Sequence, residues 1–201
     1  FLLRQGYSVI SIGWQWDVIE GADLLGLTPP YVDVNGKNLK GETIVQISPN
    51  HVHHGALLAD RIHVPYSVAD INDVKAKLIV RDWEDGPDQI IDRSDWSFAI
   101  EENGDIKPDK DHIYYPGGFI PGKYYYIVYH PSVAPVVGTG LLALRDISSF
   151  LKKDQSIKLF GNKFEYVYGY GVSQTARMLR HLVYLGLNTD ENGIMAFDAF
   201  L

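Results

Sequence analysis

Four segments between residues 123 and 188 alternate between two apolar periods, and that alternation constrains the fold more than any other feature. "KYYYIVYH" (123–130) and "FEYVYGY" (164–170) are aromatic and β-branched runs of strand length. "VVGTGLLALRDISSFLKK" (136–153) and "SQTARMLRHLVYLGLN" (173–188) carry apolar residues at helical spacing, with Gly186 near the end of the second. Strand, helix, strand, helix in that order predicts a parallel sheet with crossover helices, an α/β core. Upstream, "YSVISIG" (7–13) reads as a further buried strand, and "FLLRQ" before it as the tail of a helix stopped by Gly6.

The stretch from Thr28 to Gly118 has another texture. Turn signals recur at Asn35-Gly36, Ser48-Pro49-Asn50, Asp85-Gly86-Pro87 and Asn103-Gly104-Asp105, with short runs such as "ETIVQIS", "AKLIVRD" and "WSFAI" between them. Short strands separated by such breakers predict antiparallel hairpins. Connections in α/β units run to about 2–6 residues, far fewer than lie between Trp14 and Lys123. Residues 28–118 are therefore expected to be a β-rich insertion between two strands of a mostly parallel, incomplete sheet spanning 1–201.

Composition narrows the function classes. A net charge of −7 opposes nucleic-acid binding, which needs a Lys/Arg surplus. The chain has no cysteine, which removes disulfides and thiolate chemistry. No apolar run approaches the length of a membrane span. The chain opens without Met and stops inside an apolar segment, so a piece of a longer protein is expected.

Gly171-Val172-Ser173-Gln174-Thr175 sits where a strand pattern gives way to a helix pattern. A nucleophilic serine on so sharp a turn has its Oγ exposed, and small residues around it let strand and helix approach. Gly171 meets the first demand; Thr175 meets the second imperfectly, with Ala176 small beside it. The helix start aims free N–H groups at a developing oxyanion, the Gln174 N–H first among them. The competing reading makes Ser173 an ordinary helix N-cap.

"GYGVSQTARMLRHLVYLGLNTDENG" resembles the nucleophile segment of an α/β-hydrolase-domain family of largely uncharacterised serine hydrolases. That family's pattern is G-x-S-Q-S-G-R-x-L-R, followed by an aromatic- and Leu-rich helix ending in G-x-N-x-D-E-x-G. "LLRQGYSVISIGWQWDV", "GGFIPGKYYYIVY" and "PVVGTGLLALRDISSFLK" are similar to its early and middle sections, and Thr175 and Ala176 depart from its usual Ser and Gly. The resemblance implies an α/β-hydrolase core and a serine esterase working through an acyl-enzyme on a small-molecule ester or acyl substrate. Ser173 is then the nucleophile and Gln174 N–H half of the oxyanion hole. The backbone N–H of Trp14 or Gln15 would supply the other half, with Gly171, Thr175 and Ala176 supporting the elbow. No cofactor and no metal are expected.

The base and acid of such a site are not evident. His181 lies eight residues beyond Ser173 on the same helix, roughly 12 Å away at about 1.5 Å per residue. His130 comes before the serine in the chain, against the order expected of this fold. Asp190, Glu191 and Asp198 lie in the right direction without distinguishing marks. Both partners are expected beyond Leu201, so this polypeptide alone is not expected to turn over substrate efficiently.

Three other patterns are read conservatively. "HVHH" (51–54) would put His51 and His53 on one strand face with Asp60 as a third metal ligand, but a solvated loop is the favoured reading. "NTDENG" (188–193) has the look of a calcium loop, yet Ala199 stands where the bidentate Glu belongs, and a polar turn is favoured. Arg177 and Arg180 are expected in structural ion pairs. Against the hydrolase stands one alternative from another class, a non-catalytic α/β binding or assembly module in which Ser173 only caps a helix.

Overall fold

The computed structural model describes the chain except residues 20, 22, 35, 36, 39, 40, 154, 155 and 162, and except the side chains of 33, 34, 37, 38, 156 and 159. The Asn35-Gly36 turn therefore lies outside the described residues. The chain divides into two compact units. One comprises Asp17–Ile19 and Pro30–Val136; the other comprises Phe1–Trp16, Glu20–Pro29 and Val137–Leu201.

The first unit is built from β1 (Asp33–Val34), β2 (Lys37–Asn38), β3 (Thr43–Ile47), β4 (His53–Leu57), β5 (Lys77–Arg81), β6 (Gln89–Ile91), β7 (Ala99–Glu102), β8 (Asp105–Pro108), β9 (His112–Phe119) and β10 (Tyr124–Tyr129). Its largest sheet has the order β3-β10-β5-β6, and each pairing in it is antiparallel. β4 pairs with β9 and β7 with β8, again antiparallel. The β7–β8 turn places Asn103 at φ 53 and Gly104 at φ 87. Two positive φ values in a two-residue loop match the twist of the flanking strands, which is why Asn-Gly stands there. Along β10 burial alternates strictly: Tyr125, Ile127 and Tyr129 are buried while Tyr124, Tyr126 and Val128 are half-buried. The buried set joins Val45, Leu78, Trp96, Phe98, Ile113 and Phe119 in one core.

The second unit holds α1 (Thr139–Leu151), α2 (Ser156–Phe160), β11 (Tyr168–Gly169), α3 (Gln174–Tyr184) and β12 (Ala199–Phe200). β11 and β12 pair in parallel, Tyr168 opposite Ala199 and Gly169 opposite Phe200. Backbone bonds extend the pairing beyond the strands: Asp198 N–H donates to Val167 O at 2.8 Å and Gly171 N–H to Leu201 O at 3.1 Å. The chain from β11 through α3 to β12 is a short βαβ crossover. Leu182 of α3 and Leu144 of α1 meet Ala196 and Phe197 in its core, with Ile12, Trp14 and Val167 packed against them. Gly186, at φ 71, stops α3, and the N–H of Leu187 reaches back to Leu182 O.

The mostly parallel α/β-hydrolase sheet is corrected by these pairings. Among the described residues every named sheet is antiparallel except the two-residue β11–β12 pair. The strand at 123–130, expected inside a parallel core, is instead the antiparallel partner of β3 and β5. A strand buried on alternate residues fits an antiparallel sheet with one open face; parallel strands are covered on both. "YSVISIG" is not a strand, and its Tyr7, Val9 and Ile10 are exposed. "FLLRQ" does form one helical turn, Leu2–Gln5, ended by Gly6 at φ 83. Among the described residues no helix is long and apolar enough to cross a membrane.

Candidate functional site

Four residues separate the end of β11 at Gly169 from the start of α3 at Gln174, and the last of them is Ser173. So short a reversal forces unusual backbone angles. Ser173 sits at φ 55, ψ −112, outside the ordinary left-handed basin and costly for a residue with a Cβ, on the order of 1–3 kcal/mol. Its side chain is exposed and makes no capping hydrogen bond to α3. The helix begins at Gln174, whose N–H, like those of any first turn, has no acceptor within the helix. The positive end of α3 therefore lies beside an unengaged hydroxyl.

Each neighbour has a definite job in holding that turn. A Cβ on Gly171 would fall 2.7 Å from Ala176 N and 2.8 Å from the Thr175 carbonyl carbon, so the strand passes too close to the helix for any side chain. A Cβ on Gly169 would meet the Phe200 ring at 2.7 Å, so this glycine serves the strand pairing instead. Thr175 Oγ1 accepts the Val172 N–H at 2.7 Å and donates to Val172 O at 2.9 Å. The hydroxyl at 175, counted at first as an imperfect small residue, is a clasp. The signal for it is a Thr three residues beyond the start of a tight turn.

Trp14 and Gln15 lie in the same unit on a tightly held loop. The Gln15 carbonyl accepts the Leu27 N–H at 3.0 Å, and a Cβ on Gly13 would fall 2.5 Å from Gly26 O. On the other side, Gly140 at the start of α1 lies so close that its Cβ would fall 2.2 Å from Trp14 O. The Trp14 side chain packs into the core that also holds Leu182 of α3. Ser173, Gln174, Thr175, Ala176 and Gly171 are thus brought together by direct contacts. Trp14 shares a core with Met178 and Leu182, further along α3 than Ser173.

The acids downstream of Ser173 are engaged elsewhere. Asp198 precedes β12 and accepts the Val167 N–H at 2.8 Å, at the opposite end of β11 from the serine. It also pairs with Lys152 at 2.8 Å. Burial pushes its carboxyl up, but the bonds from Lys152 and Val167 outweigh this and hold it below its ordinary value. Asp190 Oδ1 accepts the N–H groups of Asn192 and Ile194 at 2.9 and 3.0 Å, so "NTDENG" is a turn knotted on its own carboxylate. Glu191 pairs with Arg145. His181, the only histidine of this unit, stacks on Tyr184 one turn further along α3. Among the described residues neither Arg177 nor Arg180 forms an ion pair, and both are exposed. Arg180 instead lines a small cavity of about 190 Å³ with Ala176, Leu179, Val183, Phe200 and Leu201.

In the β-rich unit His130 donates from its ring to Asp73 at 2.9 Å, a structural tie across the end of β10. His51 and His53 have their rings 5.5 Å apart. Among the described residues no group of three His, Asp or Glu side chains is placed to hold a metal ion. The "HVHH" run does contribute His53 and His54 to a cleft of about 420 Å³, together with His112, Glu101 and Asn103. Sequence spacing could not reveal His112 there, because Leu57 of β4 pairs with it across the ladder. Compared with known proteins, the chain matches no family model, no curated protein and no solved structure.

Proposed function

We propose that this chain carries the nucleophile of a serine hydrolase acting on an ester or related acyl bond of a small-molecule substrate, with Ser173 forming the acyl-enzyme. One observation carries the reading: Ser173 is held at φ 55, ψ −112 with its hydroxyl free of any cap bond. A serine that merely capped α3 would adopt extended backbone angles and accept an N–H from the first turn. Strain of this kind persists only where surrounding structure enforces it, here Gly171 beneath and the Thr175 clasp above.

In this reading Ser173 Oγ attacks the acyl carbonyl carbon while its proton passes to a general base. The carbonyl oxygen takes up negative charge and the Gln174 N–H donates to it. The second donor is the backbone N–H of Trp14 or Gln15. Collapse releases the alcohol with a proton, and water then cleaves the Ser173 ester to free the acid and restore the hydroxyl. No described residue of this unit fills the role of base, because its one histidine lies along α3 against Tyr184.

Mixing the full-length protein with p-nitrophenyl acetate and digesting it tests this reading. The expected result is a burst of p-nitrophenol and an acetyl group on the peptide holding Ser173, both absent from Ser173→Ala. A folded protein that yields no burst and no adduct on Ser173 contradicts it.

A further inference from the structure

The chain has three Asn-Gly pairs, at 35–36, 103–104 and 192–193, and the first lies outside the described residues. An asparagine before a glycine is a place where a chain modifies itself. The glycine carries no side chain to shield its nitrogen from the asparagine Cγ, and the two atoms can close a five-membered ring. Whether they do so depends on how the nitrogen and the asparagine amide are held. The two described pairs are held in opposite ways.

Asn103 and Gly104 form the two-residue loop of the β7–β8 hairpin, between Glu102 and its cross-strand partner Asp105. Both are exposed. A Cβ built on Gly104 would meet nothing within 4 Å beyond its chain neighbours, so the space beside its nitrogen is open. Among the described residues no hydrogen bond engages the Gly104 N–H or the Asn103 side-chain amide. β8 is exposed along its whole length, and an exposed ion pair, Lys107 to Glu102 at 3.0 Å, spans the hairpin. Exposed ion pairs and solvated ladder bonds hold little, so the tip opens at small cost. Opening releases Asn103 from its φ of 53 and lets its side chain bring Cγ onto the Gly104 nitrogen.

At the second pair every reacting group is engaged. The Gly193 N–H donates to Asp190 O at 3.0 Å and the Asn192 N–H to Asp190 Oδ1 at 2.9 Å. The Asn192 side-chain amide also bonds to the Asp190 carboxylate. That carboxylate is buried, and Ile194 closes the turn on it: the Ile194 N–H donates to Asp190 Oδ1 at 3.0 Å and the Asp190 N–H to Ile194 O at 2.9 Å. Here the glycine nitrogen keeps its proton in a hydrogen bond, and the amide is turned to a partner of its own.

We propose that Asn103 is a site of spontaneous deamidation in the folded protein, with water as the co-reactant, and that the Asp190 turn protects Asn192. The Gly104 nitrogen gives its proton to solvent and attacks the Asn103 Cγ. An N–Cγ bond forms as the Cγ–Nδ2 bond breaks, and ammonia leaves with a proton taken from solvent. The product is a succinimide. Water then opens it at Cγ to give aspartate, or at the main-chain carbonyl to give isoaspartate, and nothing is oxidised or reduced. Either product sets a new carboxylate between Glu102 and Asp105. Isoaspartate also adds a backbone carbon to a loop whose length fixes the pairing of β7 with β8, so the tip loosens.

The test incubates the full-length protein at mildly alkaline pH, native and, in parallel, unfolded in guanidinium chloride. Samples are digested at intervals. Mass spectrometry reads deamidation of the peptides holding Asn103 and Asn192, and an isoaspartate methyltransferase assay reads the isomer. In the native protein Asn103 should convert roughly fivefold or more faster than Asn192, the factor that one hydrogen bond sets. In guanidinium chloride the two should convert at similar rates, because both are then Asn-Gly in an open chain. Asn103→Ser should remove the isoaspartate signal from its peptide and leave the Asn192 peptide unchanged. The proposal is overturned if native Asn103 stays intact while the unfolded chain converts. It is equally overturned if Asn192 keeps pace with Asn103 in the native protein, or if the native ratio persists in the unfolded chain.

Discussion

Thr175 is tied to Val172 by three hydrogen bonds across one turn of chain. Its Oγ1 accepts from the Val172 N–H and donates to the Val172 carbonyl, and its own N–H donates to that same carbonyl at 3.2 Å. Ser173 lies inside the loop so closed, and its unusual angles follow from that closure. Replacing Thr175 by alanine removes the two side-chain bonds and should cost about 1–2 kcal/mol. Thr175→Ser keeps the hydroxyl and should lose less than half as much. Thermal melts of both variants check the stability. Reaction of Ser173 with an acylating reagent should slow in Thr175→Ala and recover in Thr175→Ser.

Gly171 is the tighter constraint. An alanine Cβ there meets the backbone of residues 175 and 176 at 2.7–2.9 Å, and backbone cannot step aside as a side-chain tip can. Gly171→Ala should cost about 1–3 kcal/mol through overpacking. Gly138 has nothing within 4 Å of its would-be Cβ and negative φ, so Gly138→Ala serves as the control and should stay within roughly 0.5 kcal/mol of the parent. Equal melting points for the two variants would contradict the close approach of strand and helix.

The turn after α3 carries a pH signature. N–H bonds from Ile194 and Asn192 hold the Asp190 carboxyl below its ordinary 3.8, the Ile194 bond first among them and outweighing burial. A lowered folded-state value means that the stabilisation is complete above about pH 4 and is lost as pH falls through the folded value below that. Asp190→Asn keeps an acceptor oxygen and no charge. It should be less stable than the parent at neutral pH, and the gap should close as the pH drops below about 4. Denaturation curves at a series of pH values read this directly; a gap independent of pH would contradict it.

In the β-rich unit the most demanding side chain is Arg93. Its guanidinium donates to the carbonyls of Ile71, Asp73 and Trp96 at 2.9–3.1 Å and lies 4.2 Å from the centre of the Trp96 ring. Arg93→Ala should cost about 2–4 kcal/mol because it strips partners from three carbonyls at once. Arg93→Lys restores the charge without the fork and should recover only part of that. Chemical denaturation of the two variants measures the difference.

The local turns were legible in the sequence because their chemistry is local. Gly6 stops the first helical turn, Asn103-Gly104 makes a two-residue hairpin, and Ser173 stands on a strand-to-helix reversal. Each follows from backbone angles that few residues tolerate. Strand partners were not legible, since pairing depends on residues far apart in the chain. The Tyr124–Tyr129 run held the needed clue in its alternation, but six consecutive apolar residues hide which three face the core. The Thr175 clasp was missed because the position was judged by volume and not by its hydroxyl. His112 was missed because only the β4–β9 ladder, which sets it opposite Leu57, brings it to the cleft that His53 and His54 also line.

The central claim is that Ser173 is a nucleophile, and a fluorophosphonate probe tests it most directly. Labelling is followed on the full-length protein and on its Ser173→Ala variant side by side, with circular dichroism to establish that both are folded. The account predicts a labelled band for the protein, mapped to the peptide holding Ser173, and none for the variant. A folded protein that takes no label, or a Ser173→Ala variant that labels as strongly as its parent, would contradict it.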